Sequence, residues 1–386
     1  MSRAGAERGD VANPETAARL RVLFVCSSLT GCGAGRFVST VLGFLDRERF
    51  APSLCLLRGE RSYPLPEDVP LSVLGKQRPW HLPRAVARLA RLLDALRPEV
   101  VLSAFSHPTF VTGNALALAR HRPRWVARVG SNPDHAEASW LRPWLRRLYD
   151  RADLVVANSR ALCRRFDLVY PDPRRKARYL PNATDFARLD ALAAEPAEPP
   201  PRGRLRIASV GRLDPVKRFD LLLDALAHLR AHREVELVLC GEGPERERLR
   251  RRARRLGLED RVQLPGFLAN PYRWLAASQL FALTSDMEGL PNALIEAQGL
   301  GLAAVATDCA TGPREIVDDG ETGLLVPPGD APALAEAMGA LLGDPARRLA
   351  MGAAARARTR ARFSAPEVTR ELEAILLEAA GRTRAP

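Results

Sequence analysis

The sequence predicts an α/β protein made of two doubly wound, Rossmann-like lobes with a cleft between them, and three observations predict it. Apolar runs of strand length alternate with helical patterns along the whole chain, the signature of βαβ units on parallel sheets. In each half the first strand runs into glycines, at 27–35 and at 211–217, where backbone N–H groups at a helix start can face a ligand. Between the halves, residues 185–204 carry Glu195-Pro196-Ala197-Glu198-Pro199-Pro200-Pro201, a polar, Pro-rich stretch that reads as a linker and not as core. A chain of 386 residues with 46% hydrophobic content is long enough to bury two cores.

Taken in order, residues 1–19 are polar, hold glycines and a proline but no apolar stretch, and read as a disordered tail and not as a secretory signal. The N-terminal lobe is expected over 20–184. Its predicted strands are Leu20–Cys26, Pro52–Leu57, Leu71–Leu74, Val100–Ala104, Trp125–Val129 and Leu154–Ala157. The C-terminal lobe is expected over 205–363, with strands at Leu205–Val210, Glu236–Leu239, Val262–Leu264, Leu280–Thr284, Ala303–Ala306 and Gly323–Val326. Within 364–386, Leu372, Ile375 and Leu376 recur at helical spacing, so a final helix is expected that could pack back on the N-terminal lobe.

Composition narrows the function classes. The net charge of +13 is built from 58 basic residues of which only Lys76, Lys176 and Lys217 are lysine. No RNP-like run, zinc finger or helix-turn-helix accompanies that charge, so a nucleic-acid partner is not expected. A basic face toward anionic lipid or a diphosphate substrate fits better. Six scattered cysteines lack metal-ligand spacing and are expected to be reduced thiols. No apolar run approaches the roughly 20 residues of a membrane span. A cytoplasmic protein is the expectation, peripheral on the inner face of the membrane if the arginine-bearing stretches 140–149, with Trp140 and Trp144, and 81–96 lie at a lipid surface. An ordinary packed amphipathic helix is the competing reading of both.

The chemistry-bearing residues are concentrated in the second half. Gly211-Arg212-Leu213-Asp214-Pro215-Val216-Lys217 follows a strand and opens a helix read over Leu221–Leu229. Arg212 and Lys217 on such a loop can clamp a diphosphate from two sides, whereas bare surface cations are mildly unfavourable at a helix N-terminus. In Ser285-Asp286-Met287-Glu288-Gly289-Leu290-Pro291-Asn292-Ala293-Leu294-Ile295-Glu296, Gly289 permits a tight turn and Pro291 is read as the first helical residue. Glu296 then sits where a carboxylate can accept from two ribose hydroxyls, and Glu288 before the turn, where a sugar beyond the diphosphate would lie.

These segments resemble the retaining glycosyltransferases of family 4, which have the GT-B fold. The resemblance covers most of the chain and is strongest over 206–328. There Gly211-Arg212-Leu213 with Lys217, Cys240-Gly241-Glu242-Gly243-Pro244, Val262-Gln263-Leu264-Pro265-Gly266-Phe267, the Glu288–Glu296 element, Gly312-Pro313-Arg314-Glu315-Ile316-Val317 and Asp319–Val326 stand in the family's order. It implies that Arg212 and Lys217 bind the diphosphate and balance its charge on departure, with no metal or other cofactor required. Glu296 would hold the ribose and Glu288 the donor sugar. Backbone groups of Gly289, Leu290, Pro291 and Asn292 would contact sugar and phosphate, Gly266 and Phe267 would border the base, and Gly241 would belong to a loop near the cleft.

In the N-terminal half the family's Gly-Gly-Ala-Glu-Arg-like run corresponds to Cys32-Gly33-Ala34-Gly35-Arg36, with cysteine for one glycine and Gly35 for the acid. Gly31, Gly33 and Arg36 form the expected loop facing the donor or acceptor. His107, after a strand end, stands where relatives place a histidine toward the donor sugar. Arg128 with Ser131-Asn132-Pro133 matches a loop expected to touch the acceptor. The partners implied are a nucleotide-sugar donor, UDP by family frequency, and a glycan or lipid-linked acceptor of a surface polysaccharide or lipopolysaccharide-type chain. Two rivals share the architecture: a nucleotide-sugar 2-epimerase, and a non-catalytic nucleotide-sugar-binding protein.

Overall fold

The computed structural model describes residues 19–31, 33–76, 78–133, 142–172, 176–197, 204–229 and 234–382. The expected tail therefore lies, Arg19 apart, outside the described residues. In the first half, β1 (Leu20–Cys26), β2 (Phe50–Leu56), β3 (Leu71–Val73), β4 (Val100–Ala104), β5 (Arg124–Val129), β6 (Leu154–Ala157) and β7 (Arg178–Tyr179) form one parallel sheet in the order β3-β2-β1-β4-β5-β6-β7. In the second, β8 (Leu205–Val210), β9 (Val235–Cys240), β10 (Val262–Gly266), β11 (Leu280–Leu283), β12 (Ala304–Thr307) and β13 (Gly323–Val326) form another, ordered β10-β9-β8-β11-β12-β13. Both sheets reverse direction beside their first strand, so each has a switch-point crevice at the carboxyl ends of its strands.

Period-two alternation decides which face each strand residue covers. On one face of the N-terminal sheet, Val22 and Phe24 pack with Phe37, Val38, Val41 and Leu42 of α1 (Gly33–Phe44). On the other, Leu23 and Val25 meet α2 (Leu82–Leu96), α3 (Ser106–Leu118), α4 (Arg142–Tyr149) and α5 (Arg160–Val169). The stretches 81–96 and 140–149, read above as candidate interfacial helices, put their apolar faces into this core: Ala85, Val86, Leu89 and Leu93 of α2, and Leu145, Leu148 and Tyr149 of α4, are buried. Residues 140 and 141 are outside the described residues. Among those described, no helix is long and apolar enough to cross a membrane.

The stretch 185–204 departs from the reading as linker. Its first part is a helix, α6 (Phe186–Ala193), N-capped by Asp185, which accepts from Arg188 N at 3.0 Å. The prolines begin only at Pro196, and Phe186 and Leu189, three apart, fall on one helical face and enter the C-terminal core beside Phe281 and Leu294. Residues 198–203 are outside the described residues.

The C-terminal sheet is covered by α7 (Phe219–His228), α8 (Arg246–Arg255), α9 (Tyr272–Ala276), α10 (Asn292–Gly299), α11 (Ala331–Gly343) and α12 (Pro345–Phe363). A buried ion pair lies in it, Arg206 Nε to Glu236 Oε1 at 2.6 Å, with the guanidinium 4.9 Å from the Trp274 ring centroid. The chain passes between the lobes twice at one place: Thr184 N donates to Phe363 O (2.8 Å) and Ala365 N to Thr184 O (2.9 Å). The last helix, α13 (Ala365–Ala379), lies on the N-terminal lobe. Its Val368, Leu372, Ile375 and Leu376 join the core of β1 and α1, and Glu373 accepts from Asp46 N at 2.8 Å.

Candidate active site

A cavity of about 650 Å³ opens between the lobes, lined from the N-terminal side by Gly31, Arg36 and Tyr63 and from the C-terminal side by Gly211, Arg212, Gly241, Phe267, Tyr272 and Glu296. Glycine is required where the walls are thinnest. A Cβ on Gly241 would collide with the Gly211 carbonyl, so the loops after β8 and β9 touch backbone to backbone. Gly31 and Gly266 hold the left-handed region, φ +61° and +89°. Phe267, next to Gly266, stands at the rim with most of its ring exposed.

The loop after β8 is tied to the loop after β11. A 3-10 turn, Pro215–Lys217, ends at Arg218, whose guanidinium reaches Asp220 and Asp286 at 3.2 Å each. Asp286 N donates to Val216 O (3.0 Å) and Thr284 Oγ1 to Lys217 O (2.8 Å). These ties carry Lys217 Nζ to 2.5 Å from Glu288 Oε1, and Ser285 Oγ donates to the same oxygen at 2.6 Å. The two charged side chains are 24% and 10% exposed. Lys217 runs beside Gly211 and is not among the lining residues, whereas Arg212 lines the cavity, largely exposed, with Asp214 at 3.2 Å. The two cations predicted to act as one clamp thus each pair with a carboxylate of their own, Arg212 with Asp214 and Lys217 with Glu288.

Glu296 has the opposite setting. It lies on the second turn of α10, only 3% exposed, and its Oε1 accepts from Arg36 of the N-terminal lobe and, at 3.4 Å, from Tyr272 Oη. Arg36 also faces the Tyr63 ring, 5.3 Å from its centroid. The helix begins one residue later than predicted: Pro291 is its N-cap, with ψ 109°, because that extended ψ turns the chain out of the tight Gly289 loop, and Asn292 is the first helical residue.

The N-terminal lobe meets this loop closely. A Cβ on Gly289 would collide with the Gly130 carbonyl, and one on Gly33 would stand 3.2 Å from Asn292 Nδ2. Asn182 Nδ2 donates to Leu290 O (2.9 Å) and to Asn292 Oδ1 (2.8 Å). Glu315, in the C-terminal lobe, caps α5 from across the cleft, accepting from Arg160 N (2.7 Å) and Ala161 N (2.8 Å), where a helix N-terminus favours an anion. Arg128, read as an acceptor contact, is wholly buried beneath Phe37 because β5 is an interior strand, so it reaches no acceptor directly.

His107 is on the first turn of α3, past Phe105, whose φ of +75° is strained for a residue with a side chain. It lies outside the cavity lining. Desolvation, then the charges of Lys76 and Arg58, draws its pKa down to about 4, so the ring is neutral at pH 7. Cys32 is outside the described residues. The pairing of Arg36 with Glu296, and the parts taken by Asn182, Tyr272 and Glu315, were not foreseen. Partners 260 residues apart leave no local trace, and Asn182 sits in a loop with no motif of its own.

Comparison with known proteins agrees with the geometry. Residues 32–188 match the family model described as Glycosyltransferase Family 4, and 193–358 the model described as Glycosyl transferases group 1. A Campylobacter jejuni N-acetylgalactosamine-N,N'-diacetylbacillosaminyl-diphospho-undecaprenol 4-alpha-N-acetylgalactosaminyltransferase is 29% identical over 364 residues, 91% of this chain and 97% of that one. A Mycobacterium tuberculosis GDP-mannose-dependent alpha-(1-6)-phosphatidylinositol monomannoside mannosyltransferase is 31% identical over 293 residues, 71% and 74% of the two chains. Among solved structures, Anabaena HepE in complex with UDP and glucose superposes with a TM-score of 0.78 at 22% identity, covering 93% of this chain and all of that one. With two Rossmann-like lobes around a shared cavity and both halves matched in order, the chain belongs to the group 1, family 4 glycosyltransferases and has their GT-B fold.

Proposed function

We propose that the chain transfers a hexose or N-acetylhexosamine from a UDP-sugar, with retention of configuration, to a glycan or lipid-linked acceptor of a surface polysaccharide or lipopolysaccharide-type chain. The observation that carries this reading is the cavity wall on which Arg212, Gly241, Phe267 and the buried carboxylate of Glu296 stand together, facing Gly31 and Arg36 of the other lobe. Its volume lies in the range of small-molecule sites. In this reading Glu296 exchanges Arg36 for ribose hydroxyls, Arg212 takes the outer phosphate, and Lys217 turns from Glu288 to the inner one. The crystal structure of HepE with UDP and glucose supports UDP as the nucleotide.

The transfer follows from these placements. The bond between the anomeric carbon and the phosphate oxygen breaks, and the acceptor oxygen attacks from the same face. The departing phosphate takes the acceptor's proton, so no protein nucleophile is needed. Lys217 and Arg212 balance the charge that develops on the leaving group, and transfer is expected to be metal-independent. His107, kept neutral, can hydrogen-bond a sugar hydroxyl without repelling the cations beside it.

The acceptor is proposed to be met at an anionic membrane surface. Trp80 is 66% and Trp144 52% exposed, on or beside helices that pack on the same sheet face and carry arginines. Lipid-linked acceptors appear in the names of both relatives above.

A thermal-shift panel of UDP-, GDP-, dTDP- and ADP-sugars tests the donor; UDP-sugars are expected to raise the melting temperature, and stabilisation by another base alone overturns UDP. NMR of the product should show the donor's anomeric configuration kept. Isomerisation of the free nucleotide-sugar at C2 without acceptor would instead favour a 2-epimerase. Flotation with anionic vesicles tests the surface, and protein left at the bottom overturns it.

A further inference from the structure

Between the lobes runs a hydrogen-bonded chain whose direction is fixed from both sides of Asn182. Arg128, near the end of β5, has no exposed surface and stacks 3.6 Å from the Phe37 ring centroid. Its Nη2 donates to Asn182 Oδ1 at 2.9 Å, and Asn182 Nδ2 donates to Leu290 O and Asn292 Oδ1. A guanidinium can only donate, so the Asn182 atom facing it must be the oxygen. The Leu290 carbonyl can only accept, so it demands the same orientation from the other side. Asn292 must then meet Asn182 with its own oxygen, which leaves Nδ2 at the far end, beside Gly33 at the cleft.

We propose that Arg128 and Asn182 are positioning residues and that the Asn292 side chain is a donor-substrate ligand: the relay turns the Asn292 N–H groups, not a lone pair, toward an anionic oxygen of the nucleotide diphosphate. The inference rests on the donor-site reading above. It accounts for an arginine where the fold alone needs none. Two of its nitrogens, Nε and Nη1, have no partner among the described residues, and burying such a charge is costly where methionine of similar length would fill the space. Asparagine, serine or histidine at 128 could donate or accept and would leave the orientation of Asn182 to the Leu290 carbonyl alone. Burial draws the Arg128 pKa down to about 9, so the side chain stays protonated and donor-only at pH 7.

Calorimetric titration of UDP into four variants tests this. Asn292→Ala removes both ends of the amide and is expected to weaken UDP about tenfold, the worth of one hydrogen bond to a charged group. Asn292→Asp keeps the bond from Asn182 but sets a carboxylate oxygen where Nδ2 stood, and should weaken UDP at least about a hundredfold. A merely structural Asn292 gives the opposite order, because aspartate preserves the tie and suits a helix N-terminus. Asn182→Asp, which can only accept, sets an oxygen against the Leu290 carbonyl and should force Asn292 to turn over, whereas Arg128→Met leaves Asn182 held by that carbonyl alone. Asn182→Asp is expected to lose about tenfold in UDP affinity, and Arg128→Met less than that with its melting temperature unchanged or raised. If the wild-type chain binds none of UDP, GDP, ADP or dTDP, the donor-site reading fails and this inference with it. If UDP binds and the aspartate at 292 is tolerated as well as alanine or better, the relay alone is overturned.

Discussion

Replacing Lys217 by alanine asks whether that lysine serves the diphosphate or only its carboxylate neighbour. Losing one partner of a fully buried ion pair costs about 3–5 kcal/mol. Here a quarter of the lysine side chain is exposed, and Ser285 Oγ still donates to Glu288 Oε1, so about 2 kcal/mol is expected, a fall of about 4–8 °C in melting temperature for a lobe of this size. A cation on the leaving diphosphate contributes far more to rate, about 10²–10³. The two effects separate in a cycle with Glu288→Gln, which removes the charge that Lys217→Ala orphans. The double variant should melt near the wild type. Its kcat/KM, followed by nucleotide release, should still fall about a hundredfold below that of Glu288→Gln alone. Equal turnover in the double variant and Glu288→Gln would refute a role for Lys217 beyond holding Glu288.

Gly289→Ala puts a methyl group against the Gly130 carbonyl across the cleft, so small-angle scattering should show the lobes further apart and transfer should fall about tenfold or more. Arg206→Ala orphans Glu236 and is expected to cost about 3–5 kcal/mol in denaturant unfolding, whereas Arg206→Met with Glu236→Leu should be neutral or stabilising. Desolvation and the Lys76 and Arg58 charges hold the His107 pKa below its ordinary 6.5, and because the residue is more than a third exposed solvent screens part of the effect, so as pH falls through that window the unfolded chain binds the proton first and some stability is lost. His107→Gln should therefore lose less melting temperature than wild type below pH 6.5, and the His107 ring resonance should titrate below that value.

What the sequence made legible is what repeats locally. Buried parallel strands are continuous apolar runs, so Leu20–Cys26, Val100–Ala104, Leu154–Ala157, Leu205–Val210 and Gly323–Val326 emerge with their predicted bounds. The two-residue β7 carries too little pattern to be read. In 185–204 composition misled, since prolines late in the stretch masked a capped apolar helix before them. Around the cavity, the C-terminal loops could be located because glycines and charges cluster within a few residues of strand ends. Their pairings could not: Arg36 with Glu296, Asn182 with Asn292 and Glu315 with the start of α5 arise only when two separately folded lobes meet.

The placement of α13 bears on how the chain is made. On a ribosome the N-terminal sheet emerges before the C-terminal lobe, yet the helix that packs on one of its faces, through Val368, Leu372 and Leu376, is synthesised after that lobe. Until then the apolar surface that α1 and β1 present to this helix lacks its cover, and the nascent lobe is a natural client for a chaperone. The C-terminal lobe draws nearly all its core from one continuous stretch and can mature first, so the protein is expected to complete itself in the reverse of its order of synthesis.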